Sequence, residues 1–540
     1  MNVARAMGQR LHATGVRYVM GHPGGEVVDL IEGFRAEGLE FILTKHEATA
    51  AFMADAMGSL SGVPGVCMGT LGPGATNLVT GVAQAYLDRS PVVALSGQLP
   101  ADRYELVTHQ RLDLGALFAP VTKWHARITP ANATTVIDRA IRVSTRHRPG
   151  PVYLEVPSDV PAQEARVTRP DRPTLDTASR FAEGAGAAAA KLVASSPRPV
   201  ILAGLDALEE DASREIRGLA EDWGIPVLVG PKAKGVFRED HPLFVGTIEM
   251  LGTGRLYDYI DGRDLVIMVG FEPVEFDRDW TAEAAVIHIG PLPNDDLYFA
   301  STIELVGPVA AGLRALRSAL GTPNVSVRSR FPAFVKQQGP DISAVRKEFA
   351  AFIEPPTEGL AAQAVLRELR RALPEDALVT CDVGQNKSVT GQCWPVYQPK
   401  TFFMSNGLSS MGYGFGAAMG LQILRPDKKV ACVLGDGGFG MYLGELETAV
   451  RRELPILAVV LADQALMAIK LGQERKGLQS VGTTFGVIDY VALARAMGAD
   501  GAEVRTADEC RDVFRWALER RGPTLVAAYI DPACYRLLPT

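Results

Sequence analysis

Apolar residues along the 540-residue chain fall into two recurring patterns. The first is a short aliphatic, often β-branched run without polar alternation. Examples are PVVAL (91–95), PVYLEVP (151–157), PVILAG (199–204), DLVIMVG (264–270), AAVIHIG (284–290), ALVTCDVG (377–384), VACVLGDG (430–437) and ILAVVLAD (456–463). A strand that is apolar at nearly every position has both faces buried, as in parallel sheets covered by helices. The second pattern is helical spacing between these runs, as in EGLAAQAVLRELRRAL (358–373) and the opening MNVARAMGQRLHATGV. Their alternation predicts α/β domains with mainly parallel sheets.

Two stretches break the rhythm. PSDVPAQEARVTRPDRPTLD (157–176) is rich in proline and charge, and GTPNVSVRSRFPAFVKQQGPD (321–341) is polar with weak periodicity. Both read as linkers. They divide the chain into three domains, about 1–160, 180–322 and 355–540. The Ala-rich AGAAAAKLVA (185–194) fits a helix, and no short repeat is evident.

Composition narrows the class. At 47% hydrophobic the chain can bury several cores, and a formal net charge of −7 implies no nucleic-acid-binding face. Its six cysteines (Cys67, Cys381, Cys393, Cys432, Cys510 and Cys534) form no C-x-x-C pair. That argues against a disulfide framework or zinc site, and for buried thiols in a reducing cytoplasm. No apolar run approaches the length of a membrane span, and the N-terminus reads as an amphipathic helix rather than a signal peptide.

Chemistry is concentrated in a few loops. In VACVLGDGGFGMYLGELETAV (430–450), Gly435, Gly437 and Gly440 spell G-x-G-x-x-G between a strand-like and a helix-like run. By pattern this is a dinucleotide fingerprint. Asp436 contradicts it, because a carboxylate inside the loop repels a bare diphosphate. A metal removes the conflict. Mg²⁺ takes oxygen ligands, commonly one or two carboxylates plus phosphates and water. Asp463, ending the run ILAVVLAD, supplies a second carboxylate at the carboxyl end of a strand, where α/β ligands bind. Without a ligand the loop is an ordinary turn and Asp463 a helix N-cap.

Other segments admit two readings each. In TLGPGATNL (70–78), Gly72, Pro73 and Gly74 force a tight strand-to-helix turn whose amides either face a ligand or simply punctuate the chain. In LTKHEATAAFMADAMG (43–58), Glu47 opens an Ala-rich helix with Ala50, Met53 and Ala54 on one apolar face. Alone it is a favourable helix-dipole partner; catalysis requires it buried beside a heterocyclic nitrogen. In THQRLDLGALFAPVTKW (108–124), His109 and Gln110 either bind a small oxyacid or sit in a surface loop. LGQERKGLQS (471–480) reads as flexible, with Lys470, Arg475 and Lys476 either facing an anionic substrate or solvated.

Taken in order, GHPGGEVVDL, KHEATAAFMA, LGPGATNL, RPGPVYLEVPSDV, NGLSSMGYGFGAAMG and GDGGFGMYLGELETAV resemble the thiamine-diphosphate-dependent acetolactate synthase family. The resemblance spans nearly the whole chain and implies three α/β domains: pyrimidine-binding, central and diphosphate-binding. It implies thiamine diphosphate and Mg²⁺ as cofactors. Asp436, Asp463 and the Ala465 carbonyl match metal ligands. Ala462-Asp463 stands where many members have paired asparagines, a substitution that keeps an oxygen donor and adds a charge. Glu47 matches the glutamate that hydrogen-bonds the aminopyrimidine, Met411 the bulky residue that bends the cofactor, and Ser409 the carbonyl that accepts from its amino group. Gly384, Gln385, Asn386, Gly435, Gly437, Gly438, Met467, Pro73 and Asn77 match cofactor-lining positions. Gly25, His109 and Gln110 match positions facing the substrate.

The implied activity decarboxylates pyruvate and joins the two-carbon unit to a second 2-oxo acid. IMVGFEPVEFDRDW (267–280) and ELVGPVAAGLRAL (304–316) are more similar to the flavin-free catabolic branch, so FAD is not expected. ATNLVTGVAQAYLDRSPVVAL and THQRLD resemble a carboxyethylarginine synthase about as well, leaving another carboligation or a plain decarboxylation as alternatives. In the family, Glu47 and the diphosphate loop meet across a subunit boundary. A homodimer is then the minimum, and a homotetramer is expected.

Overall fold

The computed structural model describes residues 1–168, 181–208, 210–250, 253–295, 298–321, 342–349, 352–353, 355 and 357–536. Residues 169–176 of the first expected linker and 322–341 of the second lie outside the described residues. Among the described residues three six-stranded sheets organise the fold, and every strand pairing in them is parallel. The first holds β1 (Tyr18–Gly21), β2 (Glu40–Leu43), β3 (Gly65–Gly69), β4 (Val92–Gln98), β5 (Trp124–Arg127) and β6 (Val152–Pro157) in the order β2-β1-β3-β4-β6-β5. The second holds β7 (Pro199–Ala203), β8 (Val227–Val229), β9 (Phe244–Thr247), β10 (Leu265–Val269), β11 (Ala285–Gly290) and β12 (Ile303–Val306), ordered β12-β11-β10-β7-β8-β9. The third holds β13 (Leu378–Cys381), β14 (Phe402–Met404), β15 (Val430–Gly435), β16 (Ile456–Ala462), β17 (Asp500–Val504) and β18 (Thr524–Tyr529), ordered β14-β13-β15-β16-β18-β17.

The outer sheets thus share one topology, and the middle one has the order of a doubly wound dinucleotide fold. Each has a switch point where the strand order reverses, and crevices for ligands open there. The switch points fall between β1 and β3, β7 and β10, and β13 and β15.

The apolar runs become strands for the expected reason. β4, β6, β7, β10 and β16 are buried at every residue, because helices cover both faces. The amphipathic stretch at 358–373 forms the helix Ala362–Ala372, burying Val365, Leu366 and Leu369. The opening stretch forms the helix Val3–Ala13.

One helix departs from its sequence pattern. Glu47–Ser61 is buried all round from Glu47 to Gly58, not on one face. It is wedged between the first domain's helix Pro73–Leu87 and the third domain's Tyr413–Leu424. Small residues permit the approach: a Cβ on Gly420 would lie 2.7 Å from the Met53 carbonyl oxygen. Phe52 and Phe415 join one apolar core shared by the two outer domains. Full burial of such a side chain is worth roughly 1.5–3 kcal/mol. Among the described residues no helix is long and apolar enough to cross a membrane.

Candidate active site

β15 ends at Gly435, paired with Leu461 of β16, so Asp436 and Asp463 emerge side by side at the carboxyl ends of neighbouring strands. Asp436 opens the short helix Asp436–Met441 and is 6% exposed. Its Oδ1 accepts from its neighbour's amide, Gly437 N (2.8 Å), and its Oδ2 from Gln464 N (2.6 Å) and Asp463 N (3.2 Å). Asp463 Oδ1 accepts from Ala465 N (3.1 Å). Asp463 is therefore not a helix N-cap; the next helix begins only at Met467.

Burial raises the pKa of Asp436 against the pull of its amide donors. Asp463 is pushed up to about 7, by burial first and by Asp436 second, with Lys470 opposing. Loss of solvent raises both acids, the buried Asp436 and the half-buried Asp463, and Asp436 raises Asp463 further; such a pair of oxygen donors suits a hard dication.

Beside them lies a cavity of about 160 Å³ at the β13/β15 switch point. Its lining contains Gly384, Gln385, Asn386, Met411, Gly435, Asp436, Gly437, Gly438, Asp463, Ala465 and Met467. The third domain thus gathers every metal candidate and most of the cofactor candidates in one pocket. Ser409 does not line it; it is exposed in the adjoining loop, with φ of 55°. Gly438, rather than the motif glycine Gly440, makes the closest approach: a Cβ there would meet Asp382 Oδ2 at 1.9 Å, whereas Gly440 faces open space.

Asp382 escaped the sequence reading. It is fully buried, pushed up to about 6 by burial, and accepts from Gly412 N (2.8 Å) and Gly414 N (3.3 Å). It ties the loop carrying Met411 to the end of β13. Tyr535, also missed, closes the pocket from the C-terminal side. Its only advance signal was its place in an apolar tail.

The first domain gathers the other candidates at its own switch point. Gly25 begins a short turn after β1, and Thr70 after β3 donates to Glu26 (2.6 Å). Pro73 starts the helix Pro73–Leu87. Gln110 leans on Gly72, while His109 and Gln110 both lie in an exposed loop. Glu47 is 6% exposed at the first position of its helix, and its Oε2 accepts from Asn77 Nδ2 (2.9 Å). Its helix start is fixed from the third domain: Glu445 Oε1 accepts from His46 N (2.9 Å) and Lys45 N (3.0 Å). Glu445 too was missed, since its partners lie some 400 positions away in sequence.

Within one chain the two clusters stay separate. Among the described residues, none before Val383 lines the 160 Å³ cavity, and no hydrogen bond or ion pair joins Glu47 to the Gly435–Gly438 turn. The expected flexible stretch at 471–480 is corrected in part: the helix Met467–Arg475 runs through it, with Lys470 half-buried and Arg475 and Lys476 exposed.

Comparison with known proteins places this geometry. Three family models match in order: the thiamine pyrophosphate enzyme N-terminal TPP binding domain over residues 1–117, the central domain over 187–316 and the C-terminal TPP binding domain over 382–528. A probable acetolactate synthase large subunit of Methanocaldococcus jannaschii is 32% identical, covering 99% of this chain and 92% of its own. The chain belongs to the thiamine-diphosphate-dependent acetolactate synthase family. A catabolic acetolactate synthase of Raoultella terrigena is 31% identical over 97% of this chain and 94% of that one. An acetolactate synthase of Bacillus subtilis is 29% identical over 96% and 91%. As an acetolactate synthase-family protein, the chain has outer domains of the thiamine-diphosphate-binding kind, which agrees with the two ligand-facing clusters at their switch points.

Proposed function

We propose that this protein decarboxylates pyruvate and joins the two-carbon unit to a second 2-oxo acid, giving 2-acetolactate, with thiamine diphosphate and Mg²⁺. The observation that carries this reading is the pair Asp436 and Asp463 beside the glycine turn, in a chain matched end to end by acetolactate synthases. The relatives' names favour acetolactate formation over carboxyethylarginine synthesis or plain decarboxylation.

When bound, thiamine diphosphate supplies a nucleophilic carbon and a sink for the electron pair released with CO₂. The chain's own groups do the rest. Asp436, Asp463 and the Ala465 carbonyl would hold Mg²⁺, and the turn at Gly437 and Gly438, with Gly384, Gln385 and Asn386, would receive the diphosphate. Met411 and Met467 would pack against the coenzyme, and the Ser409 carbonyl would accept from its amino group. Glu47, oriented by Asn77, would share a proton with the pyrimidine ring, while Pro73 shapes the turn beside it. Gly25, His109 and Gln110 face the 2-oxo acid.

A second copy of the chain completes the site in this reading. Exposed apolar residues flank both clusters: Met441, Ile469, Phe485 and Val487 on the third domain, and Val28, Leu106 and Leu112 on the first. Covering them joins Glu47 of one protomer to the carboxylate pair of another. A homodimer is the minimum and a homotetramer the expected assembly.

FAD is not part of this reading. In the central domain, the buried Glu275 carboxylate lies against the turns after β7 and β8 and accepts from Leu205 N (2.8 Å). Incubating the pure protein with pyruvate, Mg²⁺ and thiamine diphosphate tests the proposal. Acetolactate is expected; free acetaldehyde alone, or unconsumed pyruvate, overturns it.

A further inference from the structure

We infer that Lys232 of the central domain is a positioning residue for the third-domain loop Ser405–Met411, acting through a buried polar relay. The inference rests on the reading above only in taking Ser409 and Met411, both on this loop, as groups that meet the coenzyme.

Lys232 sits on the turn Pro231–Ala233 with its side chain 8% exposed. Its Nζ donates to Asp88 Oδ2 (2.9 Å) and to the Met404 carbonyl (3.2 Å). Asp88 ends the first-domain helix Pro73–Leu87 and accepts from two amides of the loop, Gly407 N (2.7 Å) and Asn406 N (3.3 Å). Gln84, one turn earlier, donates to Asp88, and its Oε1 accepts from Ser405 Oγ (2.5 Å). Ser405 Oγ in turn accepts from Ser410 N (2.9 Å), the amide between Ser409 and Met411. Lys387 closes the loop from its other side, donating to Asn406 Oδ1 (3.0 Å) and Ser409 Oγ (3.1 Å).

Three domains thereby converge on one loop. Gln84, Asp88 and Ser405 are all at most 2% exposed, so water does not compete for these bonds. Ser409 has φ of 55°, a left-handed conformation that a serine adopts only when its surroundings hold it there. Burial works to lower the Lys232 pKa, but Asp88 and Asp55 outweigh it and hold the ammonium charged. A generic structural ion pair needs only the contact between Lys232 and Asp88. Here the pair continues through Gln84 and Ser405 to the backbone that aims the Ser409 carbonyl.

Removing Lys232 alone strands a buried carboxylate and threatens the fold, so the test uses neutral changes. Ser405→Ala cuts the last link. Lys232→Met combined with Asp88→Asn removes both charges together. Two readouts are taken on the full-length protein: hydrogen–deuterium exchange of the 403–412 segment without coenzyme, and kcat, KM for pyruvate and the Kd of thiamine diphosphate with Mg²⁺. For both variants, exchange of the segment is expected to accelerate at least about 10-fold. The kcat is expected to fall about 10- to 100-fold, the cost of a mispositioned contact, with KM within about twofold and Kd within about threefold. Exchange and kcat both within twofold of wild type in Ser405→Ala overturn the inference. If wild type makes no acetolactate, the proposed function fails, and the exchange measurement still decides the relay.

Discussion

In the third domain, the turn after β15 and the end of β16 hold two carboxylates beside an open cavity of about 160 Å³ at the switch point. In the central domain, the turn after β7 and the segment after β10 meet at the corresponding switch point, where the Glu275 carboxylate, with Glu272 and Asp206 near it, lies against the turns after β7 and β8 and accepts from the Leu205 amide. Both sites are built from parallel strand ends and backbone N–H groups. The difference is where the acid side chain comes from and what it faces. Asp436 and Asp463 accept from the amides around them, Gly437, Asp463 and Gln464 for the one and Ala465 for the other, and both line the cavity. Glu275 instead lies on a turn amide, accepting from Leu205 N. It is 1% exposed, and burial pushes it up to about 8. One set of strand ends opens onto a cavity, and in the other the protein's own carboxylate occupies the turn amide.

The largest effect tests the open site. Asp436→Ala is expected to weaken thiamine diphosphate binding with Mg²⁺ by more than about 100-fold, read by calorimetry, with the circular dichroism spectrum unchanged. Binding within a few-fold of wild type removes Asp436 from the metal site. Next, Glu47→Gln is expected to retain the coenzyme and lose about 10²- to 10⁴-fold in turnover, the range of general acid–base contributions; unchanged turnover takes Glu47 out of the mechanism.

The closed site has a pH signature. Glu275 has a folded pKa raised above its unfolded value, so its folded state favours the protonated form. Its contribution to stability is complete below about pH 4 and is lost as pH rises through about 8. Glu275→Gln keeps an acceptor for Leu205 N but cannot ionise. Chemical denaturation from pH 5 to 9 is therefore expected to show the variant gaining on wild type as pH climbs, by on the order of a few kcal/mol. Parallel pH curves refute the buried-acid account. A visible absorption scan of wild type addresses the same crevice, and stoichiometric flavin contradicts it.

The smallest effect concerns the second carboxylate. Asp463→Asn is expected to fold and bind Mg²⁺ with the coenzyme, its affinity changed by about 10-fold because an oxygen donor remains. Complete loss of binding makes the extra charge essential.

Much of this contrast was legible in the sequence on one side only. Asp436 and Asp463 each follow an apolar strand directly, so local pattern alone puts them at carboxyl ends of strands, and parallel pairing sets them side by side. Glu275 carries no such mark. It lies beyond the end of β10 in a short turn, Pro273–Glu275, and reaches the Leu205 amide 70 residues earlier in sequence. Glu47 was visible as a helix start, but its complete burial required a third-domain helix that its own segment does not announce.

The chain's own order of apolar runs determined three α/β units, their parallel strands and the turns that carry the acids. These follow from local chemistry: β-branched runs need two covered faces, and glycine turns need close approach. Tertiary structure alone decided the partners. Asp382 under the Met411 loop, Glu445 at the start of the Glu47 helix and Lys232 on Asp88 all join segments distant in the chain. A buried polar group must find its partner wherever the packed domains bring one within about 3 Å, and that choice is made by the meeting of surfaces, not by any residue's neighbours in sequence.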